Sequence, residues 1–190
     1  MNAIHEETYK GFTIEIHVDE FPCDPRKEYD HAGNLIFFHS RYNLGEQNLF
    51  DSPQECIDIL TRTKAYFLPV YLNDHSGLRI SAAPFSCHWD SGQIGFIYIS
   101  REDAHKKFGP RPKSKTMKLL QAEIIEYDCY ISGQVYGYIV KDSSGNDQDS
   151  CWGFYGEIDY VISQAREFID YQVKALDNFK RIIGRQKNEN

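Results

Sequence analysis

The sequence lacks the features that mark secreted, membrane-spanning and zinc-ribbon proteins. Its five cysteines are an odd number and none has C-x-x-C spacing, which argues against a disulfide scaffold and a zinc ribbon. No run of about 18 apolar residues occurs, so no membrane span is expected. The start, Met1–Glu7, has neither a basic segment nor an apolar core, so no signal peptide is expected. These absences predict a reducing, cytoplasmic setting and no membrane partner.

Signatures of common catalytic and cofactor sites are also missing. The sequence has no Walker loop, no G-x-G-x-x-G, no G-x-S-x-G and no H-E-x-x-H. The absence of these motifs favours a protein without catalysis and without a cofactor, and leaves an enzyme of another kind open.

A surplus of basic residues is absent as well. The net charge is −7, which argues against a phosphate-binding surface. Basic residues concentrate at Arg101–Lys118 and Lys174–Lys187, which we interpret as solvated helix faces and a tail. Direct nucleic-acid binding is therefore not expected. A nucleic-acid-binding module that uses Arg101–Lys118 is the second alternative function. The 13 tyrosines are expected to lie mainly at the rim of the core, and some of them on the surface, where tyrosine is a preferred contact residue.

The hydrophobic patterns that are present predict an α+β fold with a largely antiparallel sheet built from hairpins and flanked by helices. Expected strands are Phe12–Val18, Leu35–His39, Tyr66–Leu72, Leu78–Ser81, a central Ile94–Ile99, Val135–Lys141 and Asp149–Tyr155. Four helices are expected. The first begins after Ser52 and runs to about Ala65, and the second begins after Ser100 and ends at Gly109. The other two span 115–131 and 157–187. The polar segment Asp24–Gly33 is expected to be a loop.

The last helix is the clearest amphipathic element. Apolar residues from Ile158 to Ile183 keep one face over many turns, which is long for a globular domain. We expect a single α+β domain over residues 1–190, on which the helix 157–187 packs. The helix either packs across the whole sheet or extends its distal part as an interaction element, and a homodimer is left open.

The segment Pro84–Gln93 concentrates reactive side chains in consecutive positions, Cys87, His88, Trp89 and Asp90. One interpretation is a Cys87 nucleophile, which needs a histidine base at hydrogen-bond distance. Adjacent residues of a strand point to opposite faces, so His88 is badly placed for this role. His75 or His39, from other strands, would be better placed bases.

Two further interpretations of this segment avoid covalent chemistry. Cys87, His88 and Asp90 are also metal-ligand types, with Cys151 as a fourth candidate ligand. The paired ligand spacing of zinc sites is missing, so no metal site is expected. The favoured interpretation is structural. In it Cys87 is a small buried hydrophobe, Trp89 packs, and Asp90-Ser91-Gly92 forms a side-chain-bonded turn.

Two other groups of residues are candidates for partner contact. Ser150–Gly156 is rich in aromatics, and Trp152 is either covered by the last helix or shares one surface with Trp89. Arg41 beside Tyr42 could bind a phosphate or a carboxylate of a partner, or form a salt bridge to Asp30 or Glu28. The predicted partner-binding residues are Arg41, Tyr42, His88, Trp89, Asp90, Trp152 and Tyr155.

Five segments form a combination of motifs that is specific when taken together. They are Asp24-Pro25-Arg26 with Asn34, Phe38–Gly45, His75-Ser76-Gly77, Pro84–Ser100 and Asp149–Gly156. As a set, over about Phe12 to Ile169, they resemble a family of small proteins encoded by bacteriophages and other mobile elements. The family has no assigned reaction, so the resemblance implies no catalytic residue. It implies a genomic context in which small accessory proteins bind and block host machinery, including restriction and CRISPR systems.

The expected function is therefore that of a phage or mobile-element accessory protein, acting in the cytoplasm of the bacterial host. It would inhibit a host protein or ribonucleoprotein defence complex by direct binding, as an anti-CRISPR or anti-restriction inhibitor, without catalysis. The alternative is an enzyme or small-ligand binder that uses Cys87–Asp90 with His75 or His39.

Overall fold

The computed structural model describes residues 2–42, 44–86 and 89–188, without the side chains of Lys180 and 182–188. It confirms the predicted α+β class, with eight strands and five helices in the described part of the chain. The strands are β1 His5–Tyr9, β2 Phe12–Val18, β3 Asn34–Phe37, β4 Tyr66–Asp74, β5 Leu78–Ser81, β6 Ser91–Ile99, β7 Val135–Lys141 and β8 Asp147–Tyr155. The helices are α1 Pro25–Glu28, α2 Pro53–Arg62, α3 Arg101–Phe108, α4 Lys113–Ile131 and α5 Ile158–Asn188.

The chain divides into two compact units. The terminal unit comprises Met1–Pro22 and Gly133–Asn190, and the central unit comprises Cys23–Ser132. The strands accordingly form two antiparallel four-stranded sheets, one in each unit. The expectation that residues 1–190 behave as one domain stays a prediction.

The terminal unit is a sheet in the order β1-β2-β7-β8 with α5 on one face. Alternation in β2 places Ile14 and Ile16 in a core with Val161 and Ile169 of α5, because successive strand residues face opposite sides. Strand β1 was not predicted. It pairs with β2 through a two-residue turn at Lys10-Gly11, whose positive φ angles of 50° and 83° suit a tight hairpin.

The central unit is a sheet in the order β3-β6-β4-β5 with a helix on each face. Ile97 of the interior strand β6 packs in a core with Ile124 of α4, whereas Phe96 packs with Leu60 of α2. Burial on both faces explains why β6 is apolar at consecutive positions, and it confirms the prediction of a central strand.

Helix boundaries follow local hydrogen bonds. The Ser52 hydroxyl accepts a bond from the Glu55 N–H at 3.2 Å, which confirms the predicted start of α2. This helix ends at Arg62 and not at Ala65, because Lys64 has a left-handed backbone with φ of 55°. The expected loop at 24–33 contains the short helix α1, capped by the Asp24 carboxylate.

Helix α5 confirms the long C-terminal helix. Its first part packs on the terminal-unit sheet, but Tyr171, Leu176 and Phe179 are 72%, 52% and 62% exposed. The use of the distal part of α5 as an interaction element stays a prediction, and these exposed side chains support it. In the part of the chain that the structure describes, no helix combines the length and apolar character needed to cross a membrane.

Candidate functional site

An open cleft of about 530 Å³ lies at one end of the central-unit sheet. Its lining includes Ser91 and Gly92, which begin β6 and pair with the end of β4. One wall is the segment 39–41 that follows β3, and another is formed by Asp74 with Trp89 and Asp90. The fold thus brings together two predicted groups, His39 with Arg41 and Trp89 with Asp90, and adds Asp74, which was not predicted.

An ion pair between Arg41 and Asp74 joins two walls of the cleft. Arg41 Nη1 lies 3.0 Å from Asp74 Oδ2, and the Tyr42 hydroxyl donates to the same oxygen at 2.7 Å. The predicted salt-bridge partners Asp30 and Glu28 were wrong. Asp74 stands at the end of β4, a long-range neighbour that the sequence pattern could not reveal.

The two histidines proposed as bases both lie at or beside this cleft, and each has a partner. The His39 ring stacks on Tyr42 with 5.1 Å between centroids, and its Nδ1 accepts a bond from the Arg41 N–H at 3.2 Å. His75 Nδ1 lies 3.1 Å from Asp90 Oδ2. Cys87 lies outside the described residues, so its contact with either histidine stays a prediction.

Trp89 is the most exposed large hydrophobic residue in the described chain, with 96% of its surface accessible. The interpretation in which Trp89 packs was therefore wrong: the indole stands at the rim of the cleft in solvent. His88, also predicted to contact a partner, lies outside the described residues. An exposed indole that shares a cleft with Arg41 is typical of a contact surface.

The cleft wall formed by residues 39–41 is followed by an anchor at Gly45 and Glu46. The Gly45 N–H donates to the Tyr127 hydroxyl at 3.0 Å, and Glu46 accepts a bond from Arg26 Nε at 2.7 Å. Arg26 is fully buried and also donates to Glu123 at 3.1 Å. This anchor was missed, because nothing in the local pattern distinguishes a buried arginine from an exposed one.

Tyr127 makes the anchor sensitive to alkaline pH. Burial raises the pKa of Tyr127 to about 12, because the charged phenolate is poorly solvated inside the protein. The neutral phenol therefore stabilises the fold fully below the ordinary tyrosine pKa of about 10, and this contribution is lost as pH rises toward 12. Urea unfolding measures the free energy of unfolding at about pH 9 and pH 11. Between these pH values the wild type should lose roughly 1–2 kcal/mol more of it than Tyr127→Phe does. Equal losses in the two proteins would contradict this assignment.

Trp152, Tyr155 and Cys151 belong to the terminal unit. The Trp152 ring lies against Gly137 and 6.1 Å from the His17 ring, on the sheet face opposite the Ile16 side chain. The prediction that α5 covers Trp152 was therefore wrong, since α5 packs on the Ile16 face. A common surface of Trp152 with Trp89 stays a prediction.

The described cysteines divide into two buried and two exposed thiols. Burial raises the pKa of Cys56 to about 11, so this thiol is unreactive at neutral pH. Cys129 is buried as well, whereas Cys23 and Cys151 are exposed. Within residues 2–42, 44–86 and 89–188, no three metal-ligating side chains are grouped to hold an ion.

Comparison with known proteins adds no functional assignment: the chain matches no protein-family model, no curated protein and no solved structure. The geometry of the central-unit cleft therefore carries the functional argument.

Proposed function

We propose that the protein is a non-catalytic binding protein that docks on a partner protein through the rim of the central-unit cleft. The observation that carries this proposal is the exposed Trp89 indole in the same cleft as Arg41, whose partner Asp74 also binds the Tyr42 hydroxyl. Tryptophan, tyrosine and arginine contribute most of the binding energy at protein interfaces. The resemblance to phage and mobile-element proteins adds the nature of the partner, a host defence complex of the CRISPR or restriction type.

Part of the rim is held by contacts within the protein. Asp74 binds both Arg41 and Tyr42, and His39 stacks on Tyr42, so these contacts restrict the conformations of both side chains. Pre-ordered side chains lose less conformational entropy on association, which favours affinity. Trp89 adds a large apolar contact area with few rotatable bonds.

The experiment is co-purification of the tagged protein with purified CRISPR effector and restriction complexes. Trp89→Ala and Arg41→Ala should each weaken the complex about 30-fold, the effect of a typical interface hot spot. Phe21→Ala is the matched control, because Phe21 is 87% exposed but belongs to the terminal unit. No stable complex with any of these partners, or equal loss in all three variants, would refute the proposal.

A second candidate function is small-ligand binding or catalysis in the same cleft. The His75–Asp90 pair favours it, because a carboxylate that orients an imidazole is the arrangement of a general base. Catalysis in this cleft would use either Cys87 as a nucleophile or the His75–Asp90 pair as a general base, and Cys87→Ala distinguishes the two. If this variant keeps an enzymatic activity found in the wild type, a Cys87 nucleophile is excluded.

A further inference from the structure

Exposed basic side chains concentrate at the end of the central-unit sheet that lies opposite the cleft. Strand β6 runs from Ser91 in the cleft to Ile99, which pairs with Tyr66 at the start of β4. Helix α3 follows β6 directly, and its Arg101 lines a cavity together with Thr63, the C-cap of α2. Helix α3 also contacts α4. The end of α2, the helix α3 and the start of α4 therefore lie together.

These three segments carry eight exposed basic side chains that have no partner within the protein. Lys106 of α3 is different, because it pairs with Glu102 at 2.8 Å and with Asp103 at 3.6 Å. Among residues 2–42, 44–86 and 89–188, the side chains of the eight form no hydrogen bond and no ion pair. We call them the basic surface, and they are Arg62, Lys64, Arg101, Lys107, Arg111, Lys113, Lys115 and Lys118.

The basic surface contrasts with the rest of the chain, which is acidic. The segment 101–118 contains seven lysines and arginines but only two acidic residues, whereas the chain as a whole has a net charge of −7. The net charge therefore does not describe the local field at this end of the central unit. Cations held close together repel one another in the free protein, and a bound polyanion removes that repulsion.

Stability does not explain the lysines at the start of α4. Lys113 and Lys115 lie in its first turn, where the partial positive charge of the helix end disfavours a cation. This turn contains no acidic residue, and Pro112 before it provides no side-chain cap. A local arrangement that disfavours the helix is typical of a binding surface.

The side chains around the basic surface distinguish among polyanions. A membrane-surface helix needs exposed apolar residues, a protein interface needs aromatic or apolar anchors, and a single strand stacks its bases on exposed aromatic rings. In the described ranges 62–64 and 101–118, no large hydrophobic or aromatic side chain is exposed. The backbone of a duplex needs only cations, because its phosphates bind lysine and arginine while its bases stay stacked.

We infer that the basic surface binds the phosphate backbone of a nucleic-acid duplex without sequence preference. This favours the nucleic-acid-binding alternative, which the net charge of the chain had disfavoured. The inference goes beyond the proposed function and does not depend on it, because the cleft and the basic surface lie at opposite ends of the central-unit sheet.

The experiment measures, by fluorescence anisotropy, how the full chain binds a labelled DNA duplex of about 20 base pairs and mixed sequence. At about 150 mM KCl the Kd should be on the order of 10 µM, as for other sequence-independent complexes. With about five phosphate contacts, the slope of log K against log salt should be roughly −4.5. A duplex of unrelated sequence should bind equally well. Tighter binding of an RNA duplex would identify RNA as the ligand, and equal binding would identify the duplex backbone of either kind.

Replacing three lysines of α4 by glutamine, at Lys113, Lys115 and Lys118, should weaken duplex binding at least about 30-fold at about 100 mM salt. The salt slope should become shallower by about 2.7, which is about 0.9 for each lost contact. Glutamine is uncharged and a good helix former, so this variant should unfold no earlier than the wild type. The matched control removes the same charge from exposed lysines elsewhere, at Lys10, Lys27 and Lys174, and should bind within about threefold of the wild type.

No duplex binding at about 50 mM salt and about 100 µM protein would overturn the inference, as would equal losses in the two triple variants. Tighter binding of the single strand, of polyglutamate or of phosphatidylserine vesicles than of the duplex would also overturn it. Trp89→Ala should leave duplex binding unchanged. Failure of duplex binding while co-purification with a defence complex persists would refute this inference alone, and the reverse result would refute the partner proposal alone.

Discussion

Replacing Arg26 by methionine is expected to destabilise the central unit by about 3–5 kcal/mol, the cost of leaving buried charges without their partner. The Arg26 side chain is fully buried and binds the carboxylates of Glu46 and Glu123. Methionine has a similar length, so the change removes the charge and the hydrogen bonds with little loss of packing. Urea unfolding followed by circular dichroism measures the effect.

Arg41→Met is the matched control, because Arg41 also pairs with a carboxylate but is 71% exposed. An exposed ion pair contributes little to stability, so this variant should unfold near the wild-type midpoint. Adding Glu123→Gln to Arg26→Met should recover part of the stability that Arg26→Met loses, since a neutral amide replaces the unpaired buried charge. A loss below about 1 kcal/mol for Arg26→Met would contradict the description of this network as buried and paired.

Substitution of Gly45 by alanine is expected to destabilise the central unit by about 2–4 kcal/mol, through backbone strain and a steric clash. Gly45 has a φ of 68°, and an added Cβ would collide with the Leu35 carbonyl oxygen and the Phe37 ring. The backbone N–H of the same residue bonds to Tyr127. The clash should therefore also displace the cleft wall that carries Arg41.

Gly133→Ala separates the two costs. Gly133 directly follows Ser132, the C-cap of α4, and has a similar φ of 72°, but nothing lies within 4 Å of an added Cβ. This control should lose only the strain cost of about 1 kcal/mol. Thermal unfolding of both variants measures the difference in stability. Equal losses of stability would show that the close approach at Gly45 does not constrain the fold.

The sequence predicted most of the secondary structure because those signals are local. The Ser52 and Ser100 caps, the alternation in β2 and the apolar β6 each depend on residues a few positions apart. Strand β1 was missed because its residues, HEETY, are mostly polar and its stability comes from pairing with β2.

The residues of the site were predicted from the sequence, but only some of their contacts were. Arg41, Tyr42, Trp89 and Asp90 were identified by residue type. The structure brings Arg41, Trp89 and Asp90 to one cleft and bonds Tyr42 to Asp74 of its lining. The pairing of Arg41 with Asp74 depends on the order of strands in the sheet, which no local pattern encodes. Exposure of Trp89 depends on the tertiary surroundings of its segment, so sequence pattern alone favoured the wrong interpretation.

The measurement that tests the central claim most directly is an interference assay in bacteria that carry an active CRISPR or restriction system. Cells expressing the wild-type protein or Phe21→Ala should lose protection against an infecting phage, whereas cells expressing Trp89→Ala should keep it. That result would assign inhibition to the cleft rim of the central unit. Full protection in the presence of the wild-type protein, or equal inhibition by Trp89→Ala, would contradict the account.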